Sequence, residues 1–311
     1  RSILEIVDSD SGSFDPVCLA TVMHKLAGLR GAPGLHASIV QAPQFFKLKQ
    51  IILDRMGEFT MRNLANTLWS LAKMNHHPGE PFLARLAERV KAEASGGNAQ
   101  NLANAVWSFA NLGYDPGSDV LEAIVSALVP QLSQATSQNV SNVLIACAKL
   151  EWKPSQEAVR ALGRAAAGKL SSCSAQALAN SLWGLSRLEV RDEELLRSLA
   201  AAACPRLPEF NSQNLANAVW AFANLGLHPG ADFLNAVSSA ARACMPEFSP
   251  QNISNTLWSF AKLDCADQAL FAAAGEHALR IAHTMRPQSI ANALWAFATA
   301  KIDPGAPFLQ A

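Results

Sequence analysis

The sequence predicts an all-α fold, a right-handed α-solenoid of about seven helix-turn-helix repeats of 37–38 residues plus a degenerate N-terminal repeat. One observation is a recurring sentence. Gln213-Asn214-Leu215-Ala216-Asn217-Ala218-Val219-Trp220-Ala221-Phe222-Ala223-Asn224-Leu225 is spelled again, with small changes, at 61–74, 99–112, 137–150, 175–188, 250–263 and 287–300. Its second asparagine falls at Asn66, Asn104, Asn142, Asn180, Asn217, Asn255 and Asn292, in steps of 38, 38, 38, 37, 38 and 37 residues. Another observation is that each copy leads through a short turn into a second apolar stretch. The last is composition: only 16% of residues are charged and 50% are hydrophobic, as suits units that bury a face against a neighbour on either side.

Residues 1–15, with Asp8-Ser9-Asp10-Ser11-Gly12-Ser13, read as a flexible lead-in. Residues 16–57 read as a degenerate capping repeat. Val17–Leu29 is a worn first helix in which Thr21 stands for the recurring asparagine and His24 for the tryptophan, and the longer gap to Asn66 implies an insertion around Gly31-Ala32-Pro33-Gly34. Residues 58–311 form the array. In its first helix, helix A, a wheel puts Leu64, Ala65, Leu68, Leu71 and Ala72 on one side with Trp69 at the margin. Ser249 before Pro250 is the clearest start signal. Turns follow at His77-Pro78-Gly79, Asp115-Pro116-Gly117, Lys153-Pro154-Ser155, His228-Pro229-Gly230 and Asp303-Pro304-Gly305, then helix B, as in Phe82–Val90 or Phe233–Ala241. The sequence stops inside the last helix B without a polar cap, so the array is expected to continue past Ala311. The sequence starts at Arg1 without methionine, so a targeting segment is expected to be missing from it.

Function classes narrow by chemistry. Formal net charge is zero, so no global basic field announces nucleic acid, and the distribution of charge has to decide. The cysteines form no Cys-x-x-Cys pair, which fits a reducing compartment. Histidines 24, 36, 76, 77, 228, 277 and 283 show neither metal spacing nor a paired general base, and Gly28–Gly34 lacks the Gly-Lys-Ser/Thr of a phosphate loop. No catalytic residue, metal site or cofactor is expected, and no apolar run approaches a membrane span.

Binding is the expectation that remains. The seven helix A stretches contain no Asp or Glu, whereas acids collect on helix B and its approach. Dipole preference explains acids at the start of helix B but not their absence from helix A. A face cleared of negative charge suits a polyanion. The motif also lays four residues along one stripe at i, i+4, i+7 and i+11. The first is Arg62, Gln100, Gln138, Gln176, Gln213, Gln251 and Gln288. The last is Lys73, Asn111, Lys149, Arg187, Asn224, Lys262 and Thr299. These are the candidate RNA contacts, the variable last position by phosphate pairing or base hydrogen bonds, with an ordinary solvated helix end as the other explanation. The unvarying asparagines 66, 104, 142, 180, 217, 255 and 292 are assigned to architecture, bonding a neighbouring repeat's backbone. Trp69, Trp107, Trp183, Trp220, Trp258 and Trp295 are assigned to inter-repeat packing rather than base stacking, because Ile145 fills the same slot. Trp152, in a turn beside Lys153, is read as an exposed platform.

The repeat Gln-Asn-Leu-Ala-Asn-x-Leu-Trp, followed by Ser/Ala/Gly, Phe/Leu, Ala, Lys/Asn and Leu and then a Pro turn, resembles the octotricopeptide repeat. It is also similar to the helical repeats preceding RAP domains in FAST-kinase-like proteins. The resemblance covers roughly 58–311, with His/Asp-Pro-Gly in place of that family's proline-rich element and no RAP domain. It implies sequence-selective single-stranded RNA binding in the mitochondrial matrix or chloroplast stroma, supporting transcript stability, processing or translation, with ribonucleoprotein or ribosome components as possible further partners. The rival expectation is a protein-binding scaffold, such as a structural subunit of an organellar ribosome.

Overall fold

The computed structural model describes residues 3–29, 34–306 and 308, which form helices linked by turns and short 3-10 segments; no strand occurs among the described residues. They fall into two compact units, Arg1–Leu162 and Gly163–Ala311.

The first unit holds α1 (Ile3–Asp10), α2 (Pro16–Gly28), α3 (Leu35–Gln41), α4 (Pro43–Arg55), α5 (Met61–Lys73), α6 (Glu80–Glu93), α7 (Ala99–Leu112), α8 (Ser118–Leu128) and α9 (Ser137–Lys149). Helices A are α2, α5, α7 and α9, each packed on the next. Helices B are α4, α6 and α8, each packed on the helix A of its own repeat. After α10 (Gln156–Ala167), which runs across the division, the second unit repeats the plan. Its helices A are α11 (Ala175–Arg187), α13 (Ser212–Leu225), α15 (Pro250–Lys262) and α17 (Pro287–Ala300), stacked in order. Its helices B are α12 (Glu193–Ala203), α14 (Ala231–Ala243) and α16 (Gln268–Arg280), packed one on the next. Each unit is thus a two-layer helical-repeat solenoid.

The expected flexible lead-in is corrected: residues 3–13 are helical. Val7 of α1 is fully buried where α1 packs on α4, and Lys47 Nζ donates to the Asp8 carbonyl at 2.8 Å. A polar run looks loose in sequence, but one buried apolar residue and a docking partner suffice to order a short helix. In the degenerate repeat α3 is the insertion. Gly34 caps it in the left-handed region, and Gly31, Ala32 and Pro33 lie outside the described residues.

Local chemistry explains each boundary. Asn98, Ser174, Asn211 and Ser249 accept from the backbone N–H three residues on, at 2.9, 3.1, 2.8 and 3.2 Å. In α5 and α9 the motif's first asparagine reciprocates, with Thr60 N donating to Asn63 Oδ1 and Thr136 N to Asn139 Oδ1. That capping box normally uses a glutamate. An amide there closes the helix start without an acid, which accounts for part of the missing negative charge. At the other end Asn75, Gly113, Glu151, Glu189, Gly226, Asp264 and Lys301 all take the left-handed conformation that stops a helix. In the turn His77 Nδ1, Asp115 Oδ1, His228 Nδ1 and Asp303 Oδ1 each accept from the glycine two residues later. Histidine and aspartate alternate in this slot because either offers an acceptor at that distance.

A clamp closes many repeats. Side chains from the end of helix B or just beyond donate to the carbonyl preceding their own helix A cap: Arg89 to Phe59, Gln131 to Gly97, Arg206 to Cys173, and His277 Nε2 to Phe248 at 3.0 Å. Arg55 does the same to Phe14, so the N-terminal unit is closed like the others despite its worn sequence.

His76 follows α5 and meets Phe45 edge-on, with Lys49 Nζ 3.2 Å from its Nε2. Burial, aided by the Lys49 and His77 charges, pushes its pKa down to about 4. The unfolded chain therefore binds a proton that the folded chain resists between the ordinary histidine value of about 6.5 and about 4. The stability due to neutral His76 is complete above that window and lost as pH falls through it. The melting temperature is expected to drop less between pH 7 and pH 5 in His76→Phe than in the wild type, and equal drops would remove His76 as a cause.

Candidate functional site

Helix A is buried nearly all round, because it meets a neighbour on each side and helix B behind. In α13 every residue is buried except Gln213, Asn217, Trp220 and Asn224. Those four are the i, i+4, i+7, i+11 stripe. The pattern holds along each unit. The first position (Arg62, Gln100, Gln138, Gln176, Gln213, Gln251, Gln288) is exposed in every repeat; the asparagine is partly buried in every repeat. Of the last position, Lys73, Lys149, Arg187, Asn224, Lys262 and Thr299 are exposed and Asn111 is partly buried. What helix A shows to solvent is thus an amide or arginine, an amide, an indole (Ile145 in α9), and a cation, amide or threonine; α17 exposes Ile290 and Leu294 as well.

Adjacent stripes touch. Lys149 Nζ of α9 donates to Asn111 Oδ1 of α7 at 3.1 Å, and Asn224 Nδ2 of α13 donates to Ser186 Oγ of α11 at 3.0 Å. The His24 ring of α2 stacks on Trp69 of α5, centroids 4.9 Å apart, so the slot that substitutes histidine for tryptophan is structurally real. Trp258 and Trp295 meet across α15 and α17 at 6.3 Å, and Lys262 Nζ lies 5.2 Å from the Trp258 ring centre. The variable and aromatic columns therefore continue from one repeat to the next within a unit.

The indoles pack between repeats, Trp69 on His24 and Trp258 on Trp295; Trp69, Trp107, Trp183, Trp220 and Trp258 are partly buried and Trp295 is 44% exposed, so each also keeps an edge at the surface. Fully buried side chains at Phe109, Phe222, Phe260 and Phe297, two residues further on, do the enclosed packing. The unvarying asparagines make no hydrogen bond to a neighbouring repeat's backbone among the described residues. Asn142 and Asn292 accept from Gln138 and Gln288 of their own helix, at 2.7 and 3.0 Å. Asparagine inside a helix costs about 0.5 kcal/mol relative to alanine, and no bond between repeats compensates. Trp152 is partly buried in its turn, with its backbone N–H on the Cys147 carbonyl, and so is not the exposed platform expected.

Most of the ion pairs given by the structure lie away from the stripe. Lys47–Asp8, Arg55–Glu58, Arg85–Glu88, Arg89–Glu93, Lys91–Asp119, Arg197–Glu193 and Arg206–Glu209 pair on helices B and the N-terminal segment. Arg62, Lys73, Lys149 and Lys262 have no carboxylate partner among the described residues. Sequence reasoning missed Ser186, which lies one residue before Arg187 and receives Asn224. Its only sequence signal was the regular step between copies, which places residue 224 beside the end of the preceding helix A.

Residues 129–304 match the family of RNA-editing substrate-binding complex 6 protein, and residues 15–190 match the N-terminal domain of the Tbc2 translation factor. The chain belongs to both families. Between them the two spans take in every helix A from α2 to α17, and both include α9 and α11. These families' names concern RNA editing and translation, and their common ground in this chain is the stripe-bearing repeat itself. Among solved structures, a designed armadillo repeat protein in complex with the peptide (KR)4 is 14% identical, covering 87% of this chain and 100% of its own, at a TM-score of 0.23. No curated protein matches the chain at a significant level.

Proposed function

We propose that this protein binds single-stranded RNA along the helix A stripe of each unit and performs no catalysis. The observation that carries this reading is that helix A exposes a stripe without an acidic residue, on which Arg62, Lys73, Lys149 and Lys262 have no carboxylate partner among the described residues, while Arg85, Arg89, Lys91 and Arg197 of helices B are paired. The families to which the chain belongs support a role with RNA. The octotricopeptide likeness extends it to sequence-selective binding in a mitochondrion or chloroplast, serving transcript stability, processing or translation. Helical-repeat readers take about one nucleotide per repeat, so the repeats of each unit span roughly three to four nucleotides.

Salt dependence tests it. If Arg62, Lys73, Lys149, Arg187 and Lys262 each hold one phosphate, a slope of about 0.7 per contact makes doubled salt weaken oligonucleotide binding roughly tenfold. Affinity that is flat with salt, or a pull-down from extract that survives RNase, overturns the reading in favour of a protein-binding scaffold.

A further inference from the structure

We infer that the unvarying asparagines are the ligand-holding rung of each repeat, gripping the part of an RNA strand that is the same at every nucleotide, its sugar–phosphate backbone. This rests on the RNA reading above and names what one column of the stripe does. The column is Asn66, Asn104, Asn142, Asn180, Asn217, Asn255 and Asn292. Each of the seven full repeats keeps the residue, although it disfavours the helix that carries it relative to alanine. If architecture required it, its amide would be bonded to a neighbouring helix. Instead it reaches solvent between the exposed glutamine or arginine and the indole. Where it has a partner, in Asn142 and Asn292, its carbonyl accepts from the glutamine four residues earlier. That leaves the two N–H groups of Nδ2 as donors.

A row of unspent donors, identical at each step, matches acceptors identical at each step. The phosphate oxygens and the ribose 2′-hydroxyl are such acceptors, and base edges are not. The same logic separates the columns. Lys73, Asn111, Lys149, Arg187, Asn224, Lys262 and Thr299 differ from repeat to repeat and are free to discriminate bases. The asparagines do not differ and so set affinity without sequence.

The test is an Asn180→Ala, Asn217→Ala, Asn255→Ala variant of the whole chain, read by binding to twelve-nucleotide oligo(U), oligo(A) and oligo(C) and by thermal melting. Expected is a loss of about tenfold or more, of equal size on every RNA that the wild type binds, with the melting temperature unchanged or raised. Oligo(dU) then divides the two acceptors. If the wild type prefers RNA to this DNA and the variant does not, the 2′-hydroxyl is the contact; an equal loss on RNA and DNA assigns the phosphate. A lowered melting temperature, unchanged binding, or a loss confined to one base overturns the inference and leaves the RNA reading standing. Failure of the wild type to bind any of these oligonucleotides sinks both.

Discussion

The triple variant Lys73→Glu, Lys149→Glu, Lys262→Glu is expected to bind single-stranded RNA about a thousandfold more weakly than the wild type at roughly 100 mM salt. Each of these lysines sits at the end of a helix A, exposed, and none meets a carboxylate among the described residues. A charged hydrogen bond to phosphate contributes about 1.5 kcal/mol or more, and three removed together reach roughly three powers of ten before repulsion is counted. The salt slope should shrink by about 2, at about 0.7 per lost contact. Folding should suffer little: a glutamate at a helix C-terminus costs under about 1 kcal/mol at an exposed site. Reversing Arg85 and Lys91, which are engaged with Glu88 and Asp119 on the helix B layer, makes the comparison. If the triple variant binds within threefold of wild type, or the helix B reversal weakens binding equally, the stripe is not the RNA track.

The largest effect on stability is expected from Phe222→Ala, a loss of about 3–5 kcal/mol from the second unit. Phe222 is 1% exposed and meets Phe233 of α14 edge-on at 5.3 Å, tying helix A to helix B. Phe297 makes the equivalent contact with Phe308, also at 5.3 Å, and meets Phe271 of the preceding helix B edge-on at 5.3 Å, so aromatic contact between the layers recurs in the two-layer design. Removing the ring leaves a cavity whose walls are held by helices on three sides, which collapse only in part. Phe222→Leu, close to the Leu71 and Leu185 that fill this slot in other repeats, should lose no more than about 1.5 kcal/mol. Urea unfolding followed by tryptophan fluorescence reads both, since Trp220 lies in the same helix. A Phe222→Ala loss below about 1 kcal/mol would mean that the interlayer core is plastic there.

Much of this architecture was legible in one dimension because a stacked repeat writes the same burial problem over and over. The steps of 37 and 38 residues located each helix A, and Leu64, Ala65, Leu68 and Leu71 pointed to the face that is buried. The stripe of Gln213, Asn217, Trp220 and Asn224 also followed from helical spacing alone. The lead-in was misread because Val7 offers no periodicity, and its burial depends on α4, some forty residues away. The indoles were placed between repeats, where Trp69 and Trp258 meet rings of a neighbouring helix A, but how much of each ring stays at the surface depends on the next repeat and is not written in composition.

Spacing and residue type by themselves determined the helical repeat, its caps and turns, and which side chains share a face, because these are short-range consequences of backbone geometry and hydrogen bonding. Only the packed structure decided that Phe109, Phe222, Phe260 and Phe297 are enclosed while Trp220 and its counterparts keep an edge at the surface, and that the asparagines bond no neighbouring repeat's backbone among the described residues. It alone also showed Asn111 reaching Lys149. Exposure and partnership are properties of what lies against a residue, and in a solenoid that neighbour comes from the next repeat.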